Sequence, residues 1–260
     1  MSRGDLTEAE WRVLKHLLPI EPENRGRGRP PEQNRSIING ILWRLRCGAP
    51  WRDVPPKYGS WNTIYRRFRR WSEAGVWEAV AVTLAEIMAD SGHYSIDSTT
   101  VRAHVSAAGR KRGTHRRALG RSRGGFTSKL HCLADALGRP LAFHLTVGEA
   151  ADCKAYDDLI GLPERAPVAL LADKGYDADA IRTDLADRKI EAVIPGRSNR
   201  RVKIDHDRVL YRQRNRIERM FGHLKINRAI ATRYDQLANS FLGMVHLATA
   251  RYWLKFVHAT

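Results

Sequence analysis

The stretch Val168 to Ala172 is an unbroken apolar run that ends on a carboxylate, Asp173, and is bounded by Pro163, Pro167 and Gly175. A run this short, punctuated on both sides, reads as a strand buried on both faces rather than as a helix. Such a strand needs helices on either side of its sheet, which directs the chain toward an α/β architecture. The flanking pattern agrees. HYSIDST (93–99), FTSKLHCLAD (126–135) and RPLAFHLTV (139–147) are β-prone, and Ala136-Leu137-Gly138 makes a hairpin turn between the last two. A helix is expected near 153–160, another over 177–188, then a strand at 191–195. Two long helices, about 205–228 and 236–257, would close the chain. Three early strands followed by alternating helix and strand predict an α/β fold with a mixed sheet flanked by helices.

Before residue 90 the pattern is helical. Thr7 and Glu10 form a capping-box pair ahead of Trp11, Leu14, Leu17 and Leu18, which share one helical face. A Gly/Pro-rich stretch (25–34) reads as a loop or arm. A second helix is expected over Arg35 to Arg46, with Ile38, Ile41, Leu42 and Leu45 inward. After a turn-rich segment (47–60), a third runs from the Ser60 N-cap to about Trp71, with Ile64, Phe68 and Trp71 as its apolar stripe. A fourth follows near Gly75 to Asp90. The expected division is therefore an all-α, helix-turn-helix-like domain over 1–90 and an α/β domain over 91–260. A basic loop at 107–125 interrupts the latter.

Charge narrows the partners. Lys and Arg number 45 against 28 Asp and Glu, a formal net charge of +17. A polyanion is the simplest cause, because each phosphate neutralised by a basic side chain releases counterions. The excess runs to Arg, which suits bidentate phosphate contacts. In the basic loop, Arg110, Lys111, Arg112, Arg116 and Arg117 occur with no acid among them and are expected to meet DNA. In the third helix Arg66, Arg67 and Arg70 lie off the apolar stripe. They are expected to face DNA, since the second helix of a helix-turn-helix enters the major groove. The three cysteines, Cys47, Cys132 and Cys153, form no close pair, which predicts a reduced, cytoplasmic protein. No apolar run follows the first Met and none is long enough to span a bilayer. Neither a secretory leader nor a membrane partner is expected.

Cleaving a phosphodiester requires charge neutralisation on the transferring phosphate and an activated oxygen nucleophile, which two divalent ions about 4 Å apart supply. Magnesium prefers carboxylate oxygens, so acids at strand ends or on a facing helix are the candidates. Asp97, inside SIDSTT at or near the end of a short strand, is unusual for strand composition. Residue type alone leaves a surface-strand acid as an equal alternative. Asp173 ends the apolar run, and functional groups cluster outside the carboxyl ends of α/β strands. Its alternative is a helix cap, a role for which Asp177 is better placed. Glu218 rests on helix geometry. At about 100° per residue, Tyr211, Arg214, Glu218 and Lys225 fall within about a 60° wedge between an apolar face and a solvent face. Its alternative is a helix salt bridge with Arg214 at i, i+4.

The spacing Tyr211, Arg214, Glu218, Lys225 resembles the signature around the catalytic glutamate of bacterial insertion-sequence transposases of the insertion sequence 4 and 5 groups. IDST around Asp97 and ADKGYD around Asp173 are similar to the other two blocks of those enzymes. Residues 48–71 are similar to the helical segment that precedes catalysis in the insertion sequence 5 group. The resemblance spans about 6–256, four blocks in order. It implies an RNase H-like catalytic fold, with Asp97 on the first strand, Asp173 after the fourth and Glu218 on a later helix. The Asp97, Asp173 and Glu218 triad would bind two Mg²⁺ ions, with Mn²⁺ able to substitute. Tyr211, Arg214 and Lys225 would contact DNA phosphates, and so would Lys174 and Tyr176. The N-terminal helices would recognise terminal inverted repeats, and the protein would act as a dimer or higher on DNA, at the nucleoid. The function implied is a DDE transposase that cuts element ends and transfers the strands into target DNA. A DNA-binding protein without catalysis, and an RNase H-like nuclease that does not join strands, are the other classes this sequence accommodates.

Overall fold

The computed structural model describes residues 4–19, 33–89, 92–108 and 118–255. Most of the arm expected at 25–34 lies outside them, and so do Arg110, Lys111, Arg112, Arg116 and Arg117. In chain order the elements are α1 (Glu8–Leu14), α2 (Asn34–Cys47), α3 (Trp61–Glu73), α4 (Val76–Met88), β1 (His93–Ala103), β2 (Gly120–Ser122), β3 (Gly125–Ala134), β4 (Pro140–Val147), α5 (Tyr156–Ile160), β5 (Ala169–Leu171), α6 (Asp179–Asp187), β6 (Glu191–Val193), α7 (Arg208–Tyr211), α8 (Asn215–Lys225), α9 (Arg228–Ala231) and α10 (Ala238–Leu254). Short 3-10 turns join several of them. By contact the chain forms two compact units, one of Met1–Leu84 with Leu224–Thr260 and the other of Ala85–His223.

The first unit is helical. Thr7 and Glu10 cap α1 reciprocally: the Thr7 hydroxyl accepts from the Glu10 amide at 3.1 Å, and the Glu10 carboxylate accepts from the Thr7 amide at 2.7 Å. Helices α2 and α3 pack closely because Gly40 offers no side chain where they meet. A Cβ there would lie 2.9 Å from Ile64 Cδ1. Ile64, Phe68 and Trp71 are buried as the stripe predicts. Phe68 and Trp71 meet the Trp77 ring at 6.3 and 5.1 Å. Helix α10 packs on α2 and α3. In the loop before it, Asp235 takes a bidentate bond from the buried Arg44 guanidinium, at 3.0 and 3.3 Å.

The second unit is built on a mixed sheet in the order β2-β3-β1-β5-β6, with β4 pairing to β3. β1–β3, β2–β3 and β3–β4 are antiparallel, whereas β1–β5 and β5–β6 are parallel. The apolar run is a strand covered on both faces. Leu170 and Ala172 join a core with Leu159 of α5 and Ile181 and Leu185 of α6. Ala169 and Leu171 instead meet Val193, with Leu210 and Tyr211 packed against them. The strand β2 falls inside the span expected to be loop and pairs with the start of β3.

Two expectations change. The helix expected at 205–228 is broken: α7 ends at Tyr211, Arg212–Arg214 form a 3-10 turn, and α8 starts at Asn215. The tighter turn changes the phase, so Leu210 and Tyr211 pack on the sheet while Ile217, Met220 and Phe221 stay buried. Asp177 does not cap α6, whose N-cap is Ala178 without a side-chain bond. It is instead a buried ion-pair centre, taking hydrogen bonds from Arg182 Nε at 2.8 Å and from both Arg200 Nε and the Arg197 amide at 2.7 Å.

The turn between β3 and β4 fixes α8. Asp135 Oδ1 accepts from the Leu137 and Arg139 amides at 3.0 and 2.7 Å. Gly138 sits at φ +77°, and a Cβ on it would lie 2.6 Å from Arg216 Cβ and 2.8 Å from the Arg216 carbonyl oxygen. Arg216 in turn donates to the Ala136 carbonyl at 2.5 Å. Gly138→Ala is therefore expected to destabilise the protein by about 1–3 kcal/mol in urea unfolding, from overpacking and a left-handed backbone. Leu137→Ala, at an exposed position of the same turn, should stay within about 0.5 kcal/mol. Equal losses would show that the close approach is not what Gly138 serves.

Candidate active site

Strand register places the first two acids. β1 pairs with β5 through His93–Ala169, Tyr94–Leu170 and Ser95–Leu171. Two residues past the last pair on each chain come Asp97 and Asp173. Parallel neighbours lie about 4.8 Å apart, so the two acids stand level just beyond the carboxyl end of β5, where open α/β sheets gather their functional groups. Asp97 is not near the end of a short strand as expected. β3 gives β1 a second edge, opposite Cys132 at this position, and carries it on to Ala103.

The third acid comes from α8 and is joined to the first by a single guanidinium. Arg214 donates from Nη1 to Asp97 Oδ2 at 2.6 Å and from Nη2 to Glu218 Oε1 at 2.5 Å. The i, i+4 salt bridge that competes with a functional reading of Glu218 does form, but the same arginine also reaches a residue 117 positions away. Glu218 keeps half its side chain exposed, while Asp97 and Arg214 are only 16% and 15% exposed.

Asp173 likewise serves a cap and faces the site. Its Oδ1 accepts from the Gly175 amide at 2.8 Å, starting the 3-10 turn Lys174–Tyr176. That turn is clamped from outside, because Arg197 donates to the Lys174 and Gly175 carbonyls at 3.2 and 3.1 Å. The Arg197 amide is tied to Asp177, so the buried ion-pair centre holds the segment that carries Asp173.

Charge is concentrated at this locus. Burial pushes the Asp97 carboxyl above its ordinary range. Arg214 and the Ser98 amide oppose that, and the charges of Asp173 and Glu218 add to it. Three hard carboxylates acting on one another beside a single arginine are a donor set suited to divalent cations such as Mg²⁺. Among the described residues no three His, Cys, Asp or Glu side chains already stand in ligating geometry. The fit therefore lies in donor chemistry and excess negative charge, with the Arg214 guanidinium between two of the acids.

The other residues singled out from sequence are distributed as follows. Tyr211 is half-buried, with the Arg214 guanidinium 5.8 Å from its ring centre. Lys225 ends α8, half-buried, and burial lowers its pKa. Lys174 is exposed in the turn after Asp173. Tyr176 is buried rather than presented to a partner. In the helical unit Arg66 and Arg70 are exposed on α3, but Arg67 is not. It is 8% exposed, bonds the Asn34 side chain, and lies 5.3 Å from the Trp71 ring centre. The expectation that Arg67 faces DNA is thus corrected: its position, three residues past Ile64, turns it inward. Sequence reading also passed over Arg197, Arg200 and Asp152. The two arginines sit in a loop without periodicity, and nothing sets Asp152 apart from the neighbouring Asp157 and Asp158.

Comparison with known proteins accords with this geometry. Residues 89–253 match the family model described as "Transposase DDE domain", and residues 6–81 match "Putative transposase of IS4/5 family". A Brucella ovis protein described as "Putative transposase for insertion sequence element IS6501" is 39% identical over 131 residues, covering 50% of this chain and 99% of that one. A Burkholderia cepacia protein described as "Insertion element IS402 uncharacterized 16.2 kDa protein" is 35% identical over 122 residues, covering 44% of this chain and 82% of that one. Among solved structures, the piggyBac transposase in its synaptic complex with hairpin DNA aligns with a TM-score of 0.55 at 11% identity. It covers 96% of this chain and 70% of that one, and the likeness is one of fold. The sheet and its helices are accordingly RNase H-like.

The electrostatics of Asp97 predict its effect on stability. Its pKa is raised in the fold above an unfolded value of about 3.9. The cost of keeping it ionised is absent below that value and fully present above the folded pKa. Asp97→Asn should therefore melt higher than wild type at pH 7 in metal-free buffer, with the gain fading toward pH 3. A wild type that melts higher at pH 7 would mean that the Arg214 pair outweighs burial.

Proposed function

The chain belongs to the transposase DDE domain family, and from that premise we propose that Asp97, Asp173 and Glu218 form the metal-binding centre that cuts DNA at the ends of a mobile element and transfers the freed ends into target DNA. The observation that carries this reading is the Arg214 bridge. It brings an acid of β1 and an acid of α8 to one guanidinium, beside the strand end that bears Asp173.

Each residue then has a task. Asp97 and Asp173 project oxygen donors from adjacent strands, and Glu218 offers a third carboxylate from the helix. DDE transposases generally use divalent metal ions; when bound, Mg²⁺ or Mn²⁺ supplies charge neutralisation on the phosphate and activation of the attacking oxygen. Arg214 and Tyr211, with Lys225 on the same helix and Lys174 on the clamped turn, contact phosphates near the element end. An arginine is suited to this because its fork can exchange carboxylate oxygens for phosphate oxygens of the same geometry. In the helical unit Arg66 and Arg70 project from α3 toward the terminal inverted repeats, while Arg67 braces that helix from inside. Arg110, Lys111, Arg112, Arg116 and Arg117 add backbone contacts. Pairing two element ends requires two copies, so the working form is a dimer or larger on DNA, at the nucleoid of a bacterial cytoplasm. No helix among the described residues is long and apolar enough to cross a membrane.

Two measurements test this. Duplexes carrying the element's own inverted repeat should be nicked in Mg²⁺ or Mn²⁺ by wild type. Asp97→Asn, Asp173→Asn and Glu218→Gln should each abolish nicking while still shifting the duplex in a gel. Variants that cut normally would sink the triad assignment, and a wild type that binds without cutting or joining would favour a non-catalytic protein. Arg66→Ala with Arg70→Ala should weaken duplex binding and reduce the slope of log affinity against log salt by about 0.9 per lost phosphate contact. An unchanged slope would remove α3 from the interface.

A further inference from the structure

We propose that Asp152 is a fourth carboxylate of the acidic centre and a ligand for one of its divalent cations; this rests on the metal-binding reading of Asp97, Asp173 and Glu218. Asp152 opens the 3-10 turn Asp152–Ala155 that leads into α5. It is a stranger to the three-acid pattern, yet it lies among the same elements. The residue after Asp97 reaches it directly, for the Ser98 hydroxyl donates to Asp152 Oδ1 at 2.5 Å. Lys129 Nζ lies 3.2 Å from the same oxygen.

The other oxygen faces the site. Asp152 Oδ2 accepts no hydrogen bond from the described residues. A Cβ on Gly175 would lie 3.3 Å from it and 2.8 Å from Asp173 Oδ1. Two carboxylate oxygens from separate elements thus flank the one position in the clamped turn that has no side chain. A larger residue at 175 would press on both.

Tyr176 supplies an independent sign. It is 1% exposed, and its hydroxyl has no hydrogen-bond partner among the described residues. A buried hydroxyl without a partner is costly, and one beside a site for ligands can be satisfied by the ligand. Tyr176 follows Gly175 in the clamped turn, so its unpartnered hydroxyl can donate to an oxygen carried in by a hydrated cation or a phosphate. On the far side of Asp152, His131 Nδ1 is 4.0 Å from Oδ1.

A purely architectural role would make Asp152 the counter-ion of Lys129. That pairing accounts for Oδ1 alone, and Lys129 Nζ already donates to the Ala150 carbonyl at 2.6 Å. It leaves Oδ2 and the Tyr176 hydroxyl unexplained. A hydrated hard cation accounts for both, taking the carboxylate oxygen directly and the phenol through its water.

Mn²⁺ binding to the full chain without DNA, followed by electron paramagnetic resonance, tests this without relying on activity. Asp152→Asn is expected to weaken at least one Mn²⁺ site about tenfold or more, and Asp97→Asn to weaken binding as well. Lys129→Met, which removes the ion pair but keeps the carboxylate, should bind Mn²⁺ at least as tightly as wild type. Wild-type affinity and stoichiometry in Asp152→Asn, alongside loss in Asp97→Asn, would overturn the role of Asp152 and leave the triad standing. Equal weakening by Lys129→Met and Asp152→Asn would overturn it too, since the effect would then come from architecture. Indifference of Mn²⁺ to Asp97→Asn would bring down the metal-binding reading itself, and this proposal with it.

Discussion

The parallel pairing of β1 with β5 is the constraint on which the rest of the catalytic unit depends. Three residue pairs fix it, and two steps further along each chain it has set Asp97 beside Asp173. A slip of one residue would turn either acid to the opposite face. The register is defended from both sides, because Leu170 and Ala172 are locked into the α5–α6 core while Ala169 and Leu171 are locked under Leu210 and Tyr211. The third acid depends on the sheet less directly. The β3–β4 turn presses Gly138 against the backbone of α8, which sets the height of Glu218 over the strand ends.

The acids of the site are held by one guanidinium among them and by two more behind. Arg214 spans two acids, and Arg197 and Arg200 grip the turn behind Asp173 through carbonyls and the buried Asp177. Both unexceptional roles that compete with a catalytic one are present: Asp173 caps a turn, and Glu218 pairs with Arg214. Neither precludes the proposed metal-binding role, because a carboxylate has two oxygens and several lone pairs. In Asp173, Oδ1 accepts from the Gly175 amide, and Oδ2 accepts no hydrogen bond from the described residues.

Much of this was legible in the residues. The apolar run before Asp173, the Thr7–Glu10 capping box and the Ile64, Phe68, Trp71 stripe each follow from local spacing, and each stands where spacing put it. What local spacing cannot show is which distant segments meet. The Arg214–Asp97 bond, the Gly138–Arg216 contact and the approach of Asp152 to Gly175 all join residues far apart in sequence. Arg67 shows the limit on a single helix: its position adjoins the apolar stripe, and a charged residue can be buried there because Asn34 offers a buried acceptor and Trp71 a ring face. The 3-10 turn at Arg212–Arg214 escaped notice because a residue-by-residue rotation assumes an unbroken helix.

The distance along the chain between the partners of the Arg214 bridge bears on timing. The bond closes a loop of 117 positions, and the parallel β1–β5 pair must itself wait for the hairpin and α5 to be threaded between its strands. Long-range closures of this kind come late in folding. As the polypeptide leaves the ribosome, its strands can pair before α8 has emerged, whereas the helical unit waits longer still, for α10 to pack on α2 and α3. A partly made chain can thus have its strands paired while Asp97 still lacks its Arg214 bridge to Glu218, so the acidic centre is the last part of the sheet unit to be completed.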